Sequence, residues 1–395
     1  MTTRIGILGF GLRASLASYA HQPDAGSRVV AVADPDPARR RAAADALGGD
    51  VTLLPDLDAL LDQDLDALMV LTPDHLHEEH ALRALERGVP TFLEKPLAVS
   101  TEGADRILDQ AWRTGTRLYV GHNMRHMPVV RALRSAVQDG RIGEVKAVWC
   151  RHFVSTGGDF YFKDWHADRS KTLGLLLQKG AHDIDVIHWL AGGYTTRAQA
   201  MGTLAVYGDI TDRRDNSDRQ MRDWYSTDSW PPASQRELAP VLDVEDLSMA
   251  NFALDNGVLA SYQQCHFTPD YWRSYTVIGT EGRLENFGDG GDATVALWDR
   301  RSDTYRAEPD ATLPVGAADG GHGGADPLLV AEFLRFAREG GPTDTSPVAA
   351  RQAVAAGVAA TSSLRSGGAV VEVPPLPAEL EAYFAASQTR PDAGA

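Results

Sequence analysis

The sequence predicts an α/β fold with an N-terminal doubly wound parallel sheet and a C-terminal α+β domain whose sheet is open and mostly antiparallel. Strands alternate with helices over the first third of the chain, the order typical of a parallel sheet. After Gly121 helices become sparse and strand-like runs follow one another, which favours antiparallel pairing. The chain has 395 residues, enough for two domains. We place them at 1–121 and 122–395.

In the N-terminal part, apolar or β-branched runs alternate with segments of helical spacing. Pro37 and Gly48 are typical boundary residues of one helix, and Gly88 is a stop signal for another. We predict strands at 5–9, 28–33, 65–71, 89–94 and 117–121, and helices at 13–20, 37–47, 75–87 and 101–114.

In the C-terminal part, the segment 208–240 lacks periodicity but contains Trp224, Tyr225 and Trp230. Loops of this length are uncommon in compact domains. It is either a disordered surface insert or a lid or subunit-contact loop, since disordered tracts contain few aromatic residues. The other elements predicted here are helices at 128–139, 173–190, 326–339 and 348–366, and strands at 143–153, 197–207, 247–253, 258–267, 275–279, 282–286 and 293–299.

Composition narrows the class of protein. Hydrophobic residues make up 43% and charged residues 23%, which indicates a globular chain. The formal net charge of −16 argues against a nucleic-acid partner, because phosphate would be repelled. We find neither an apolar run long enough for a bilayer nor a secretory signal ahead of the first strand, so we expect no membrane partner and a cytoplasmic location. Cys150 and Cys265 lack the spacing of a zinc site or a disulfide framework.

The first strand leads into Gly9-Phe10-Gly11-Leu12-Arg13-Ala14, which fits G-x-G-x-x-G/A between a strand and a helix. The first glycine permits the tight turn, and the second lets a pyrophosphate approach the backbone. Asp34 ends the second strand, where a carboxylate accepts hydrogen bonds from ribose hydroxyls and repels a 2′-phosphate. The pattern predicts a Rossmann domain that binds NAD. Arg39 and Arg40 follow closely, so NADP is the less favoured alternative.

Glu94-Lys95-Pro96 follows another strand of the same sheet, at the edge where ligands bind in doubly wound folds. The proline biases the Lys95 backbone towards an extended conformation. A lysine at this edge can polarise a substrate oxygen or share in proton transfer. A solvated surface lysine is the alternative.

The predicted helix 173–190 places Gln178, His182 and Asp185 on one face, with apolar residues on another. A histidine titrates near neutral pH, so His182 is suited to accept the hydroxyl proton of a carbinol. A solvent-exposed histidine is the alternative. Asp185 would orient His182 or bind a hydroxyl.

Aromatic and polar residues lie together in the segment 160–166, just ahead of that helix. Flat rings and polar groups of this kind suit a sugar-binding rim, for which Lys163, Trp165 and His166 are candidates. A strand edge followed by a polar turn is the alternative. Four further histidines lack the paired acids of a metal site, so we predict packing or cofactor contacts and no metal; these are His77, His80, His122 and His126.

Several motifs together resemble one known family, the Gfo/Idh/MocA oxidoreductases. These are NAD(P)-dependent enzymes that act mainly on sugars, polyols and related carbinols. The resemblance covers nearly the whole chain apart from 208–240. The motifs are Thr72-Pro73-Asp74-His75-Leu76-His77, Glu94-Lys95-Pro96-Leu97, Gly121-His122-Asn123-Met124-Arg125, Gly180-Ala181-His182-Asp183-Ile184-Asp185, Gly279-Thr280-Glu281-Gly282 and His322-Gly323-Gly324-Ala325-Asp326.

The resemblance implies that Lys95 and His182 are the catalytic residues of an NAD-dependent sugar or polyol dehydrogenase. It also implies a homo-oligomer, a dimer or tetramer, assembled through the C-terminal sheet. The implied cofactor contacts are Gly9, Phe10, Gly11, Leu12, Arg13, Asp34, Thr72, Pro73, His77, Glu94, Lys95 and Asn123. The implied substrate contacts are Lys95, Arg125, Lys163, Trp165, His166, Gln178, Lys179, His182 and Asp185.

The chain departs from the family pattern at Gln178, where many relatives have an aspartate. An amide orients a hydroxyl but cannot accept its proton, so more of the proton transfer falls to His182 and Lys95. Lys179 follows directly, and it is either a solvated lysine or a contact for a sugar that carries a carboxylate, sulfonate or phosphate. A second interpretation is an NAD-dependent glycosidase that oxidises its sugar transiently at C3, eliminates the leaving group, adds water and takes the hydride back. A third is a catalytically silent NAD-binding regulator, against which the retained Lys95 and His182 argue.

Overall fold

The computed structural model describes residues 2–317 and 319–389. Its strands are β1 (Thr3–Leu8), β2 (Ser27–Ala33), β3 (Thr52–Leu54), β4 (Ala67–Val70), β5 (Thr91–Leu93), β6 (Leu118–Val120), β7 (Val145–Phe153), β8 (Thr195–Thr203), β9 (Leu247–Leu254), β10 (Leu259–Cys265), β11 (Trp272–Gly279), β12 (Arg283–Phe287), β13 (Thr294–Trp298), β14 (Ala311–Leu313) and β15 (Val371–Glu372).

The helices follow the same order along the chain. They are α1 (Ser15–Ala20), α2 (Pro37–Leu47), α3 (Leu57–Leu61), α4 (His77–Glu86), α5 (Thr101–Thr114), α6 (Pro128–Gln138), α7 (Gly157–Tyr161), α8 (Arg169–Thr172), α9 (Leu175–Gln178), α10 (Gly180–Ala191), α11 (Gly321–Glu339), α12 (Pro347–Arg365) and α13 (Ala378–Ala385). Residues 322–324 of α11 have positive φ and interrupt its first turns. No helix in the described ranges is long and apolar enough to cross a membrane.

The chain divides into two compact units. The first unit comprises the chain up to Asn123 together with 326–351 and the residues from Leu376 onward, and the second comprises 124–325 and 352–375. A single division at residue 121 therefore misses the later segments of the first unit. Phe333 and Phe336 of α11 belong to that unit because they pack beside Tyr119 of β6 in its apolar core.

The first unit is built on a parallel sheet with the strand order β3-β2-β1-β4-β5-β6. The strands β4, β5 and β6 are buried throughout, as expected for a sheet covered on both faces. The α2 and α5 boundaries match the sequence prediction. Asp36 and Ser100 accept backbone N–H groups as N-caps, which explains where the two helices begin. The short elements β3 and α3 were not predicted, since neither is long enough to show a period.

The second unit is built on a nine-stranded sheet in the described residues, with the order β14-β13-β12-β11-β7-β10-β9-β8-β15. Neighbouring strands are antiparallel except β7 and β10, which are parallel. One face packs on α6, α10 and α12 through Leu133, Ile187 and Ala356, among others. The predicted fold class is confirmed in both units.

The predicted helix over 173–190 is wrong in three respects. Leu173 has a φ of +65°, so the chain turns there and helix starts only at Leu175. A turn at Lys179 then separates α9 from α10. Nor does α10 expose a polar face, because every residue except Trp189 is buried.

The strand predicted over 197–207 ends earlier, at Thr203. Asp246 explains this end, because its carboxylate accepts the backbone N–H groups of Ala205, Val206 and Tyr207 at 2.6, 2.8 and 2.9 Å. These donors are thereby unavailable to a neighbouring strand. The later elements β14, β15 and α13 were not predicted from the sequence.

The segment 208–240 contains neither strand nor α-helix, yet it is packed rather than disordered. Trp224 is buried, and its Nε1 donates to the carbonyl oxygen of Asp159 at 2.9 Å. Gln235 Nε2 donates to the carboxylate of the same residue at 2.9 Å, and Asn216 Nδ2 donates to the carbonyl oxygen of Lys163 at 2.9 Å. The aromatic residue and two amides thus attach the segment to α7 and the chain after it.

The turn after β1 depends on Gly9. Its φ is +88°, and a Cβ there would lie 2.9 Å from the carbonyl oxygen of Leu71. Gly26 has a similar φ of +82° with no atom within 4 Å of such a Cβ. Alanine at either position carries the left-handed backbone penalty of roughly 1–2 kcal/mol, but only Gly9→Ala adds a collision with backbone.

We expect Gly9→Ala to lower the free energy of unfolding by a further 1–3 kcal/mol or so relative to Gly26→Ala, the usual range for overpacking. Chemical denaturation of the two variants measures the difference. Equal losses at the two positions would contradict a role for the Leu71 carbonyl.

Candidate functional site

The carboxyl edge of the first sheet brings the N-terminal motifs together. Ala33, Leu8, Val70, Leu93 and Val120 form one row of register partners across five strands. The residue after each of them therefore lies at the same edge. These following residues are Asp34, Gly9, Leu71, Glu94 and Gly121.

The glycine-rich turn is tied to Asp34. The backbone N–H of Phe10 donates to Asp34 Oδ2 at 2.8 Å, and that of Asp36 donates to Oδ1 at 2.9 Å. Asp34 is buried, so these bonds fix its carboxylate at the end of β2. A side chain is missing at Gly9 and Gly11, as close approach of a pyrophosphate requires. The arrangement fits the adenosine and pyrophosphate portions of a dinucleotide.

Glu94 joins that turn to Lys95. Its Oε1 accepts from Arg13 Nε at 2.6 Å, and its Oε2 accepts from the backbone N–H of Lys95 at 2.8 Å. Arg13 also donates from Nη1 and Nη2 to Asp326 at 3.0 and 3.1 Å, and Asn123 Nδ2 donates to Asp326 Oδ1 at 3.0 Å. Burial opposes the charged form of Arg13, but Glu94 and Asp326 raise the pKa of Arg13 above its usual value.

His77 connects two loops at this edge. Its Nδ1 lies 2.7 Å from the carbonyl oxygen of Pro96, and its Nε2 lies 2.9 Å from that of Thr72. Carbonyl oxygens only accept, so both contacts are hydrogen bonds only when both ring nitrogens carry a proton. His80 lies 3.0 Å from the Thr72 hydroxyl, and burial, with the nearby His77, lowers the pKa of His80 to about 4. Both histidines therefore contact the loop that contains Thr72, and the described residues contain no group of three metal-ligating side chains.

In the second unit, His182 is buried near the start of α10, and the next residue anchors that helix. Asp183 is fully buried and lies 2.7 Å from Arg273 Nε. It also accepts from the Tyr262 hydroxyl at 3.0 Å and from the Tyr275 hydroxyl. Burial favours the neutral acid, but Arg273 and His152 together lower the pKa of Asp183 far below its usual value.

His152 completes this cluster as a neutral ring. Its Nδ1 lies 3.0 Å from Asp183 Oδ2, and its Nε2 lies 3.3 Å from Arg273 Nη2. Since the carboxylate accepts and the guanidinium donates, Nδ1 carries the proton and Nε2 holds the lone pair. Burial, together with Arg273, lowers the pKa of His152 to about 3, in agreement with a neutral ring.

Arg125 and Asp185, both expected to contact substrate, pair with each other. Arg125 Nε and Nη2 donate to the two carboxylate oxygens at 2.7 Å each, and both side chains are buried. The Arg125 guanidinium also lies 5.2 Å from the ring centre of Trp189. The pair fastens the segment before α6 to α10.

The predicted rim is a compact aromatic cluster. The rings of Trp165 and His166 stack with centres 3.8 Å apart, and Tyr161 meets His166 edge to face. Lys179 Nζ lies 5.8 Å from the Tyr161 ring centre. Lys163, by contrast, is buried and pairs with Asp159 at 2.9 Å. The aromatic residues and Lys179 are therefore grouped beside α9, while Lys163 is neutralised.

Sequence reasoning missed Asp326 as the partner of Arg13, and Arg273 as the partner of Asp183. Asp326 belongs to a motif to which the sequence analysis assigned no function. The acidic side chain at the end of that motif was the available signal. Arg273 lies on β11 and has no local signal, because its partner is distant in the sequence.

Comparison with known proteins defines the class. The model of an oxidoreductase family with an NAD-binding Rossmann fold, Gfo/Idh/MocA, matches residues 3–122. The C-terminal domain model of the same family matches residues 130–285. The chain belongs to the Gfo/Idh/MocA oxidoreductase family, and its first unit binds NAD.

Among curated relatives, an inositol 2-dehydrogenase of Rhizobium meliloti is 31% identical over 217 residues, 54% of this chain and 63% of that protein. The 2,7-anhydro-N-acetylneuraminate hydratase of Mediterraneibacter gnavus is 30% identical over 244 residues, 58% of this chain and 63% of that protein. The chain thus matches less than two thirds of the length of either relative. A levoglucosan dehydrogenase solved with NADH and levoglucosan has a TM-score of 0.75 at 20% identity, covering 95% of this chain and 100% of that one, and shares the fold.

The Asp183 cluster yields a stability test. Asp183→Asn leaves the buried Arg273 beside a neutral side chain, and breaking such a pair costs roughly 3–5 kcal/mol. Glu144→Gln is the matched control, because Glu144 pairs with Lys146 at 2.6 Å on an exposed strand end. The free energy of unfolding should fall by less than about 1 kcal/mol in Glu144→Gln. Chemical denaturation measures both, and a loss for Asp183→Asn as small as the control's would refute the anchoring role.

Proposed function

We propose that the chain is an NAD-dependent dehydrogenase of a sugar, sugar derivative or polyol, which removes hydride from a carbinol carbon. The observation that carries the proposal is the shared sheet edge in the first unit. The glycine-rich turn and Asp34 lie there, and Glu94 fixes the backbone of Lys95 beside them. A primary amine next to a nicotinamide site is suited to hold the oxygen of the carbon that reacts.

NAD supplies the hydride acceptor when bound. Gly9, Gly11 and Asp34 would hold its pyrophosphate and adenosine ribose. Further contacts would come from Phe10, Leu12, Arg13, Thr72, Pro73, His77, Glu94 and Asn123. Of these, Arg13, His77 and Glu94 act mainly by fixing the loops, because their polar atoms already bond to one another or to backbone.

Loss of hydride requires loss of the hydroxyl proton. Lys95 would orient the substrate oxygen and stabilise its developing negative charge. His182 would accept the proton, since an imidazole titrates near neutral pH. Gln178 would hold a neighbouring hydroxyl, and Lys179 favours a substrate that carries an anionic group. Trp165 and His166 would form a stacking surface for the sugar.

We expect Lys95→Ala and His182→Asn each to reduce turnover by roughly 10²–10⁴-fold, because each removes a group that acts on the proton or the oxyanion. NADH affinity should remain close to that of the unmodified protein. The measurement is NADH formation on a panel of polyols and sugars, with Lys146→Ala as the control at an exposed lysine. Full activity in Lys95→Ala would refute the assignment.

A second candidate function is an NAD-dependent glycosidase with transient oxidation at C3. Two observations favour it: Gln178 replaces the family's usual acid, and one relative is a hydratase of an anhydro sugar. Here NADH would be formed and consumed within one turnover. When glycosides are added to the panel, release of an aglycone without net NADH would support the glycosidase over the dehydrogenase.

We also propose that a second copy of the chain covers the outer face of the second sheet. Cross-strand register places five large apolar side chains on that face, each 45–65% exposed. Exposed apolar patches of this kind mark protein interfaces. The five are Trp149, Met201, Met249, Leu259 and Phe287.

Trp149→Lys should therefore weaken self-association, because it places a charge inside the apolar contact. Sedimentation velocity over a concentration series measures the effect. Tyr305→Lys is the control, since Tyr305 is also a large, exposed aromatic residue but lies in the loop between β13 and β14. A monomer already in the unmodified protein would refute the interface.

A further inference from the structure

A cavity of about 310 Å³ lies at the C-terminal end of α10, and all of its lining residues belong to the second unit. Because an α-helix rises about 1.5 Å per residue, this end of α10 is roughly 15 Å along the helix from His182. The cavity is therefore separate from the candidate site at the start of α10. A volume of this size accommodates a small organic molecule.

Arg134 of α6 lines this cavity as a cation with no carboxylate within ion-pair distance among the described residues. Its Nη1 donates to the carbonyl oxygen of Trp189 at 2.7 Å, while its buried Nε has no hydrogen-bond partner in the same part of the chain. Burial and the neighbouring Arg125 both lower the pKa of Arg134. Since a guanidinium stays charged in a protein, this positive charge is left unbalanced.

Two other lining residues that could carry charge do not alter this balance. Arg125 is already paired with the carboxylate of Asp185, so its own charge is neutralised. His188 is a neutral ring, because the backbone N–H of Thr195 donates to its Nε2 at 3.2 Å and that nitrogen therefore holds the lone pair. The net contribution of both residues to the cavity is close to zero.

Trp189 and Asp255 also line the cavity, and neither neutralises Arg134. The Trp189 ring centre lies 5.6 Å from the Arg134 guanidinium, and an aromatic face attracts a cation less strongly than a carboxylate does. Asp255 is exposed, and its Oδ1 accepts the backbone N–H of Tyr194 at 3.0 Å. Its carboxylate is thus held at the turn after α10, beyond ion-pair distance from Arg134.

We propose that this cavity binds a small organic anion, whose phosphate or carboxylate group is held by the Arg134 guanidinium. The planar fork of an arginine matches both groups. The anion would supply the negative charge that the surroundings of Arg134 lack, and its organic part would occupy the remaining volume beside Trp189. This is a second binding site, and it does not depend on the reaction proposed for Lys95 and His182.

The test is isothermal titration calorimetry with glucose 6-phosphate, gluconate and glucose. We expect glucose 6-phosphate or gluconate to bind with a Kd below about 1 mM, and the comparison of the two separates phosphate from carboxylate recognition. Arg134→Gln should weaken this binding by roughly 10–100-fold, the range for hydrogen bonds to charged groups. Any binding of neutral glucose should be the same in both proteins.

Asp255→Asn gives an independent measurement, because it leaves the hydrogen bond from Arg134 to Trp189 intact. Removal of this negative charge should strengthen binding of the anion by roughly two- to fivefold, the size of an exposed charge interaction. This variant keeps the proposal testable if Arg134→Gln folds poorly. Unchanged or weaker binding in Asp255→Asn would contradict a site in this cavity.

Arg141→Gln is the control, because Arg141 is an exposed arginine shortly after α6, and it should leave the affinity unchanged. Lys179→Gln separates the cavity from the candidate active site. A loss of affinity in Lys179→Gln but not in Arg134→Gln would place the anion at that other site and refute the proposal. Failure of both anions to bind the unmodified protein would refute it as well, while the dehydrogenase proposal is judged separately by turnover.

Discussion

The candidate site of the first unit depends on the two hydrogen bonds that the Glu94 carboxylate accepts. One oxygen binds the Arg13 guanidinium in the glycine-rich turn, and the other binds the backbone N–H of Lys95. The glycine-rich turn and the backbone of Lys95 are thus joined through one side chain. Asp326 closes the arrangement from a distant part of the sequence, because it binds Arg13 and Asn123 together. Burial makes each of these charges costly alone, so the group is stable only as a whole.

In the second unit, too, a buried carboxylate is stabilised only by its charged and polar neighbours, and here it lies next to His182. Asp183 is buried with Arg273, His152 and two tyrosine hydroxyls, and it directly follows His182 in α10. A neutral amide at this position would leave the guanidinium unbalanced, which would loosen the start of the helix. The rigid placement of His182 therefore derives from a residue that need not touch substrate.

Sequence patterns predicted the parts of the fold whose signals are local. The starts of α2 and α5 are set by the N-caps Asp36 and Ser100, and a cap of this kind is visible in sequence. The glycine-rich turn, Asp34 and Lys95 were placed at one sheet edge by the alternation of strands and helices alone. The break at Leu173 was missed because an apolar pattern runs through it, although Gly174 was the available warning. Partners such as Arg273 and Asp326 depend on long-range packing that no local pattern reports.

Three cations near the motifs are each held by a carboxylate of the protein itself. Arg13, Arg125 and Lys163 have a carboxylate within hydrogen-bond distance, and binding a ligand would require breaking a buried pair. That exchange is costly, so these residues position the backbone.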